Sequence, residues 1–110
     1  MNVPNAEYAV VDIRKLRNYC LDPTHDEGKY KARLFAAALS MIRDDAEDLR
    51  IALLQAVRTH KAILGRRDVY GQRYTVDFTL EWHDKQAIIR SGWIIEHDSV
   101  TPRLTSCYPL

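Results

Sequence analysis

The sequence contains no apolar stretch of the roughly 18 residues that a membrane-spanning helix needs. Residues 1–11 also lack a basic start followed by an apolar run, so we expect no signal peptide and a cytoplasmic protein. Neither sign of charge is in excess, because 16 Lys and Arg face 15 Asp and Glu, a formal net charge of +1. A near-neutral protein does not coat nucleic acid broadly, so any contact with it must use a local basic patch.

Cysteines and short metal-binding motifs are scarce as well. The two cysteines, Cys20 and Cys107, are interpreted as small buried hydrophobic residues rather than a disulfide, since nothing indicates export. No Cys-x-x-Cys or His-x-x-x-His spacing occurs, so we expect neither a metal nor another cofactor. The serines lie in no nucleophile elbow, and Gly28 lacks the second glycine and the Gly-Lys-Ser/Thr ending of a P-loop.

The composition that remains is that of one ordinary globular domain, residues 1–110, with 46% hydrophobic and 28% charged residues. The first half of the chain has helical periodicity. Apolar residues spaced three and four apart predict helices over 12–21, over 29–39, and from about residue 44 to just before Gly65.

Beyond about residue 61 the hydrophobic period changes to two. Alternation predicts antiparallel strands over 73–82 and 86–95, with shorter strands over 61–69 and 103–108. We therefore predict an α+β fold in which about three N-terminal helices pack on one face of a C-terminal antiparallel sheet of about four strands. The other face is either solvated or forms a groove, and its residues are Arg73, Thr75, Asp77, Thr79, Arg90, Arg103 and Thr105.

The strongest local signal lies where the second helix begins. Gly28 opens this helix, with His25 before it and a basic patch of three cations, Lys29, Lys31 and Arg33, in its first turns. The nearby cations that would extend this basic patch are Arg14, Lys15 and Arg17. The start of a helix offers free N–H groups and a partial positive charge, so a phosphate is its natural ligand, and a glycine permits close approach. His25 is a candidate proton carrier. In the alternative interpretation His25 only caps the helix and the cations form a solvated surface.

The same residues carry a family resemblance. His25-x-x-Gly28-x-x-Lys31-x-x-x-Phe35, preceded by Tyr19 and Leu21-Asp22-Pro23, resembles the signature of a little-characterised bacterial domain. Three later blocks, 70–77, 89–93 and 102–108, extend the likeness over nearly the whole chain. The resemblance implies a small protein encoded beside an antitoxin, or the C-terminal toxin module of a larger protein. Its layout is similar to the barnase, EndoU, colicin and RelE group of ribonuclease toxins.

The expected function is therefore a metal-independent endoribonuclease toxin that is neutralised by a cognate antitoxin or immunity protein. RNA cleavage by 2′-hydroxyl attack needs a base, an acid and charge stabilisation. We assign His25 as general acid or base, and Lys31 and Arg90 as stabilisers of the phosphate and transition state. Thr105 and Tyr108 would contact the phosphate or position the base, and which of His25 and Tyr108 is the base and which the acid stays open. On a regular strand the side chains of Thr105 and Tyr108 point to opposite faces. Asp77 would either orient His25 or contact a base edge. The candidate substrate-binding residues are Gly28, Lys29, Arg33, Arg73, Tyr74 (or Tyr70) and Asp77.

Two alternatives from other classes remain open. The basic patch is also consistent with a non-catalytic module that binds RNA or phosphate. The sheet edge is consistent with a protein-interaction module of the antitoxin or immunity type.

Overall fold

The computed structural model describes all residues, 1–110. After a 3-10 turn over Ala6–Tyr8, the helices are α1 (Ile13–Lys15), which continues as a π-helical turn over Leu16–Cys20, α2 (Lys29–Leu39) and α3 (Ala46–Thr59). The strands are β1 (Ile63–Arg67), β2 (Gly71–Trp82), β3 (Lys85–Glu96) and β4 (Arg103–Pro109). They form one antiparallel sheet in the order β1-β2-β3-β4. The predicted α+β fold is confirmed.

The core lies between the helices and one face of the sheet. Alternate residues of β2 and β3, including Val76 and Trp93, meet helical side chains such as Phe35 and Leu53 there. Ser91 is the one polar residue in this layer, and its hydroxyl is fully hydrogen-bonded because it donates to the Val76 carbonyl at 2.7 Å and accepts from the Trp93 indole at 2.9 Å.

None of the helices combines the length and the apolar composition that crossing a bilayer requires.

A β-bulge in β4 changes which side chains share a face. Leu104 pairs with Trp93 and Ser106 with Gly92, so Thr105 is the extra residue between two ladder positions. Leu104 and Cys107 are consequently both buried in the core although they are three residues apart. The bulge turns Thr105 away from the core, where its Oγ1 lies 2.9 Å from the position that a Cβ on Gly92 would occupy.

The bulge resolves the parity conflict between Thr105 and Tyr108. Tyr108 pairs with Arg90, whose neighbour in β2 is Asp77, so its side chain also points away from the core. Thr105 and Tyr108 therefore share a face. A regular strand would have separated them.

Candidate phosphate-binding cleft

The loop before α2 is held by two local hydrogen-bond motifs. The Asp22 carboxylate accepts from the Thr24 amide at 2.9 Å and from its hydroxyl at 2.7 Å, which closes a tight turn beside Pro23. His25 Nδ1 then accepts from the amides of Glu27 at 3.0 Å and Gly28 at 2.9 Å. His25 thus caps the amides that precede α2, as the simpler interpretation of the sequence anticipated.

This cap fixes the tautomer of His25. Because Nδ1 accepts from two backbone donors, the proton of the neutral ring resides on Nε2. A ring in this state offers an N–H donor to an acceptor-only ligand such as a phosphate, but no lone pair with which to remove a proton. The geometry therefore suits His25 to phosphate binding better than to the acid or base role expected from the sequence.

Gly28 is required by the protein's own packing. A Cβ at this position would overlap the carbonyl oxygen of Tyr19, where the π-helical turn comes against the start of α2. The close approach predicted at Gly28 therefore exists, but its partner is Tyr19 rather than a ligand. This contact brings the two segments of the cleft together.

The Gly28→Ala variant is expected to lose about 1 to 3 kcal/mol of unfolding free energy, because the methyl group must displace backbone. Urea denaturation followed by circular dichroism measures the loss. The same change at Gly65 brings a Cβ to 3.1 Å from the Arg73 carbonyl oxygen, a milder conflict that should cost less. Equal stability of the two variants would contradict the packing argument.

Tyr19 is the centre of the site. Its hydroxyl oxygen accepts a hydrogen bond from Lys31 Nζ at 3.1 Å, and its ring meets the His25 ring edge-on with centroids 5.0 Å apart. The ammonium of Lys15 lies 5.6 Å from the centroid of the Tyr19 ring. Since the Tyr19 oxygen already accepts from an ammonium, its own proton is free to be donated to a ligand.

Lys31 is a partly buried cation between two tyrosines. Its Nζ lies 5.1 Å from the ring centroid of Tyr19 and 5.9 Å from that of Tyr108. Burial is the largest single influence and lowers the pKa of the ammonium, but the hydrogen bond to Tyr19 and the electrostatic attraction of Tyr19, Cys20 and Tyr108 together outweigh it, and the net shift of the pKa is upward. No carboxylate lies within salt-bridge distance of Lys31. It is therefore a permanent positive charge that no side chain of this protein neutralises directly.

An open cleft of about 550 Å³ adjoins this cluster. Lys31 and Tyr108 do not line it directly and connect to it through Tyr19. Among its walls, Asp12 is held by Arg14, whose hydrogen bonds lower the pKa of that carboxyl to about 2, so Asp12 is a poor base. The residues that line the cleft are Asp12, Arg14, Lys15, Tyr19, His25, Glu27 and Thr105.

Glu27 differs from Asp12 in having no cationic partner. Its side chain is exposed and takes part in no ion pair or side-chain hydrogen bond. It is therefore the one carboxylate of the cleft that is free to accept a proton.

Arg90 is adjacent to Tyr108 but is already occupied. It forms a two-point ion pair with Asp77, with N···O distances of 3.0 and 2.8 Å, and this pair raises the pKa of the guanidinium. Asp77 therefore neutralises Arg90 and makes no hydrogen bond to His25. The expectations that Arg90 supplies a free charge and that Asp77 orients His25 do not match this geometry.

The other predicted substrate-binding residues lie outside the cleft. Tyr74 is only 7% exposed and belongs to the core, so it is not available for base stacking. Arg73 is bound to Asp68 at 2.8 Å on the open sheet face. Lys29 and Arg33 flank the exposed ring of Tyr30, at 5.4 and 5.6 Å from its centroid. The alternation that predicted an exposed Arg73 also placed Tyr74 in the core, but it carried no information about ion pairs.

Sequence reasoning missed three residues of the site. Tyr19 was noted only as part of the motif, and Lys15 only as an extension of the basic patch. Glu27 had no signal beyond its position two residues after His25. Across the chain, no three His, Cys, Asp or Glu side chains converge into a potential metal site.

Comparison with known proteins identifies the family but no relative of known function. No curated protein and no solved structure matches the chain. A family model described as a domain of unknown function, DUF6883, matches residues 2–110, which confirms the likeness to an uncharacterised domain over nearly the whole chain. The chain therefore belongs to the DUF6883 family.

Proposed function

We propose that the protein is a metal-independent endoribonuclease toxin that acts in the cleft around Tyr19. The observation that carries the proposal is the partly buried Lys31 ammonium, which has no carboxylate partner and donates to the phenol oxygen of Tyr19. An ammonium that no carboxylate of the protein pairs with can form a charge-assisted hydrogen bond to an anionic ligand. The phosphodiester of RNA is such a ligand.

The remaining donors of the cleft suit phosphate oxygens. His25 offers Nε2–H, Thr105 its hydroxyl, and Lys15 its ammonium, whereas phosphate oxygens accept hydrogen bonds and donate none. In the proposal these groups hold the non-bridging oxygens and stabilise the charge that grows on the phosphorane. Arg90 and Tyr108 do not line the cleft and would contact the RNA backbone farther from the phosphate that is cleaved.

The proton transfers are assigned to Glu27 and Tyr19. The Glu27 carboxylate removes the proton of the 2′-hydroxyl, whose oxygen then attacks the adjacent phosphorus. As the bond from phosphorus to the 5′-oxygen breaks, the Tyr19 hydroxyl gives its proton to the departing oxygen. The resulting phenolate is stabilised by the Lys31 ammonium. The products are a 2′,3′-cyclic phosphate and a free 5′-hydroxyl.

Purified protein is expected to cleave RNA in the presence of EDTA and to leave 2′,3′-cyclic phosphate ends, which mass spectrometry of the fragments identifies. In the isosteric Glu27→Gln variant the single-turnover rate should fall by about 100- to 10,000-fold, the usual contribution of a general base.

Glu47→Gln is the matched control for this assay, because Glu47 lies on α3 in an exposed pair with Arg50 and does not line the cleft. The control should cleave at the wild-type rate. Cleavage by Glu27→Gln at that rate would remove Glu27 as the base, and a wild-type protein that leaves RNA intact would contradict the catalytic proposal.

A non-catalytic RNA-binding or phosphate-binding module is the second candidate. The hydrogen bonds that His25 Nδ1 accepts from two backbone amides favour this candidate. They leave Nε2–H as a donor, which can bind a phosphate without any proton transfer. This candidate predicts salt-sensitive binding and intact RNA after long incubation.

A toxin also requires a neutralising partner in the cell that makes it. We accordingly propose a cognate antitoxin or immunity protein as the partner. Growth arrest on induced expression, relieved by Glu27→Gln, would support the toxin, whereas arrest that persists in this variant would contradict arrest by RNA cleavage.

A further inference from the structure

The edge strand β1 is exposed on every side. All five of its residues are exposed, including Leu64, which is paired with the buried Tyr74 and yet has 58% of its surface open to solvent. The helical layer therefore does not extend over this end of the sheet. Ile63, on the opposite face of the strand, is 64% exposed.

The backbone of β1 is bare as well. Apart from the ladder to β2, it receives hydrogen bonds only from the side chain of Gln72, which also belongs to β2. The other edge of the sheet is paired at the start of β4, because Val10 donates to the Pro102 carbonyl at 2.9 Å and accepts from the Leu104 amide at 3.0 Å. An exposed edge of unpaired N–H and C=O groups is a template for another strand.

The segment around this edge carries a net positive charge. Over residues 61–73 the cations are Lys61, Arg66, Arg67 and Arg73, and the one acid is Asp68. Asp68 is bound by both Arg66, at 2.9 Å, and Arg73, at 2.8 Å. Lys61 and Arg67 form no ion pair and are exposed. The edge therefore repels a second copy of itself and attracts an acidic partner.

We propose that β1 binds an extended acidic segment of a partner protein, which adds to the sheet as a fifth, antiparallel strand. The backbone of the segment pairs with the free edge, apolar side chains of the segment cover Ile63 and Leu64, and its carboxylates meet Lys61 and Arg67. The exposed Val69 and Tyr70, 83% and 67% open, lie in the β1–β2 turn and extend the same surface. β1 lies three strand spacings, about 14 Å, from β4, which contributes Thr105 to the cleft. A segment bound at β1 uses none of the cleft residues, so this proposal does not depend on catalysis in the cleft.

The probe is a short acetylated peptide in which pairs of valines alternate with pairs of glutamates, so that each face of the added strand carries both residue types. It is titrated into the ¹⁵N-labelled full chain, and amide shifts should be confined to β1 and its flanking turns. The same peptide with lysine in place of glutamate should bind at least about tenfold more weakly, since two rim ion pairs become repulsions. Hydrogen exchange should slow at the β1 amides that face outward when the acidic peptide is present.

The Lys61→Glu/Arg67→Glu double variant tests the surface sharply, because it leaves the Asp68 pairs intact. It should reverse the preference between the two peptides, whereas Lys85→Glu, at the far end of β2 and β3, should not. Shifts located in the cleft, an unchanged preference in the double variant, or no binding of the acidic peptide would overturn the proposal. So would dimerisation of the free chain through β1 in sedimentation velocity, or displacement of the acidic peptide by an RNA oligonucleotide.

Discussion

Replacing Lys31 with methionine is expected to lower the rate of RNA cleavage by about 100- to 1,000-fold, the usual cost of removing one well-placed electrostatic donor. The methionine retains most of the length and apolar surface of the lysine, so the change removes mainly the charge. Both the stabilisation of the Tyr19 phenolate and the balance of charge around the phosphate are lost. Single-turnover cleavage of a short fluorescent RNA in EDTA measures the effect.

The charge of Lys31 also sets a pH limit. The folded pKa of Lys31 is raised above its ordinary value of 10.5, so the stability that it contributes is present below that pH. This contribution is lost only as the pH rises through the raised folded pKa. The charge is thus complete at neutral pH, and a neutral-range limb of the activity profile cannot arise from Lys31.

Lys85→Met is the matched control for the Lys31 variant. Lys85 is an exposed cation at the turn between β2 and β3, and its removal changes the net charge equally. The control should retain the wild-type rate. Equal losses in the two variants would show that net charge, rather than the cation beside Tyr19, controls cleavage.

Replacing Tyr19 with phenylalanine is expected to lower cleavage by about 100- to 10,000-fold, because the departing 5′-oxygen then loses its proton donor. The ring remains, so its edge-on contact with His25 and its packing against Gly28 are kept. RNA binding, measured with a substrate that lacks the reactive 2′-hydroxyl, should change little. The loss should therefore appear in the cleavage rate.

A substrate with sulfur in place of the 5′-bridging oxygen separates an acid from a structural residue. A thiolate departs without protonation, so this substrate should restore much of the rate to Tyr19→Phe, whereas Glu27→Gln should stay slow because the 2′-hydroxyl still needs its base. Tyr8→Phe, at an exposed tyrosine of the N-terminal turn, is the control and should match wild type on both substrates. Failure of sulfur to rescue Tyr19→Phe would exclude Tyr19 as the acid.

The features that the sequence predicted well are those determined by local pattern. The alternation around Tyr74 and Trp82 predicted the strand because each residue's face depends only on its neighbours, and the meander connects strands that are adjacent in the chain. The start of α2 was predicted for the same reason, since Gly28 and the cations after it are a local signal. These patterns were sufficient for the fold class.

The features that it could not predict depend on residues distant in the chain. The bulge at Thr105 exists only in the pairing of β4 with β3, so no pattern within 103–109 specifies it. The pairing of Arg90 with Asp77 depends on the register between β2 and β3, which places the two residues opposite each other. The sequence predicted a free cation at Arg90, whereas the structure has an ion pair there. The role of Tyr19 required the π-helical turn that brings its hydroxyl to Lys31.

The position of β4 in the sheet affects when the site can form during synthesis. Tyr19 and Lys31 leave the ribosome before Thr105 and Tyr108, which belong to β4. A nascent chain that has reached only β3 can form the β1–β2–β3 meander, but it has neither the bulge nor the second tyrosine beside Lys31. If the cleft is catalytic as proposed, the polypeptide is harmless to the ribosome that makes it until β4 docks. A partner strand at β1, by contrast, finds its binding edge already formed.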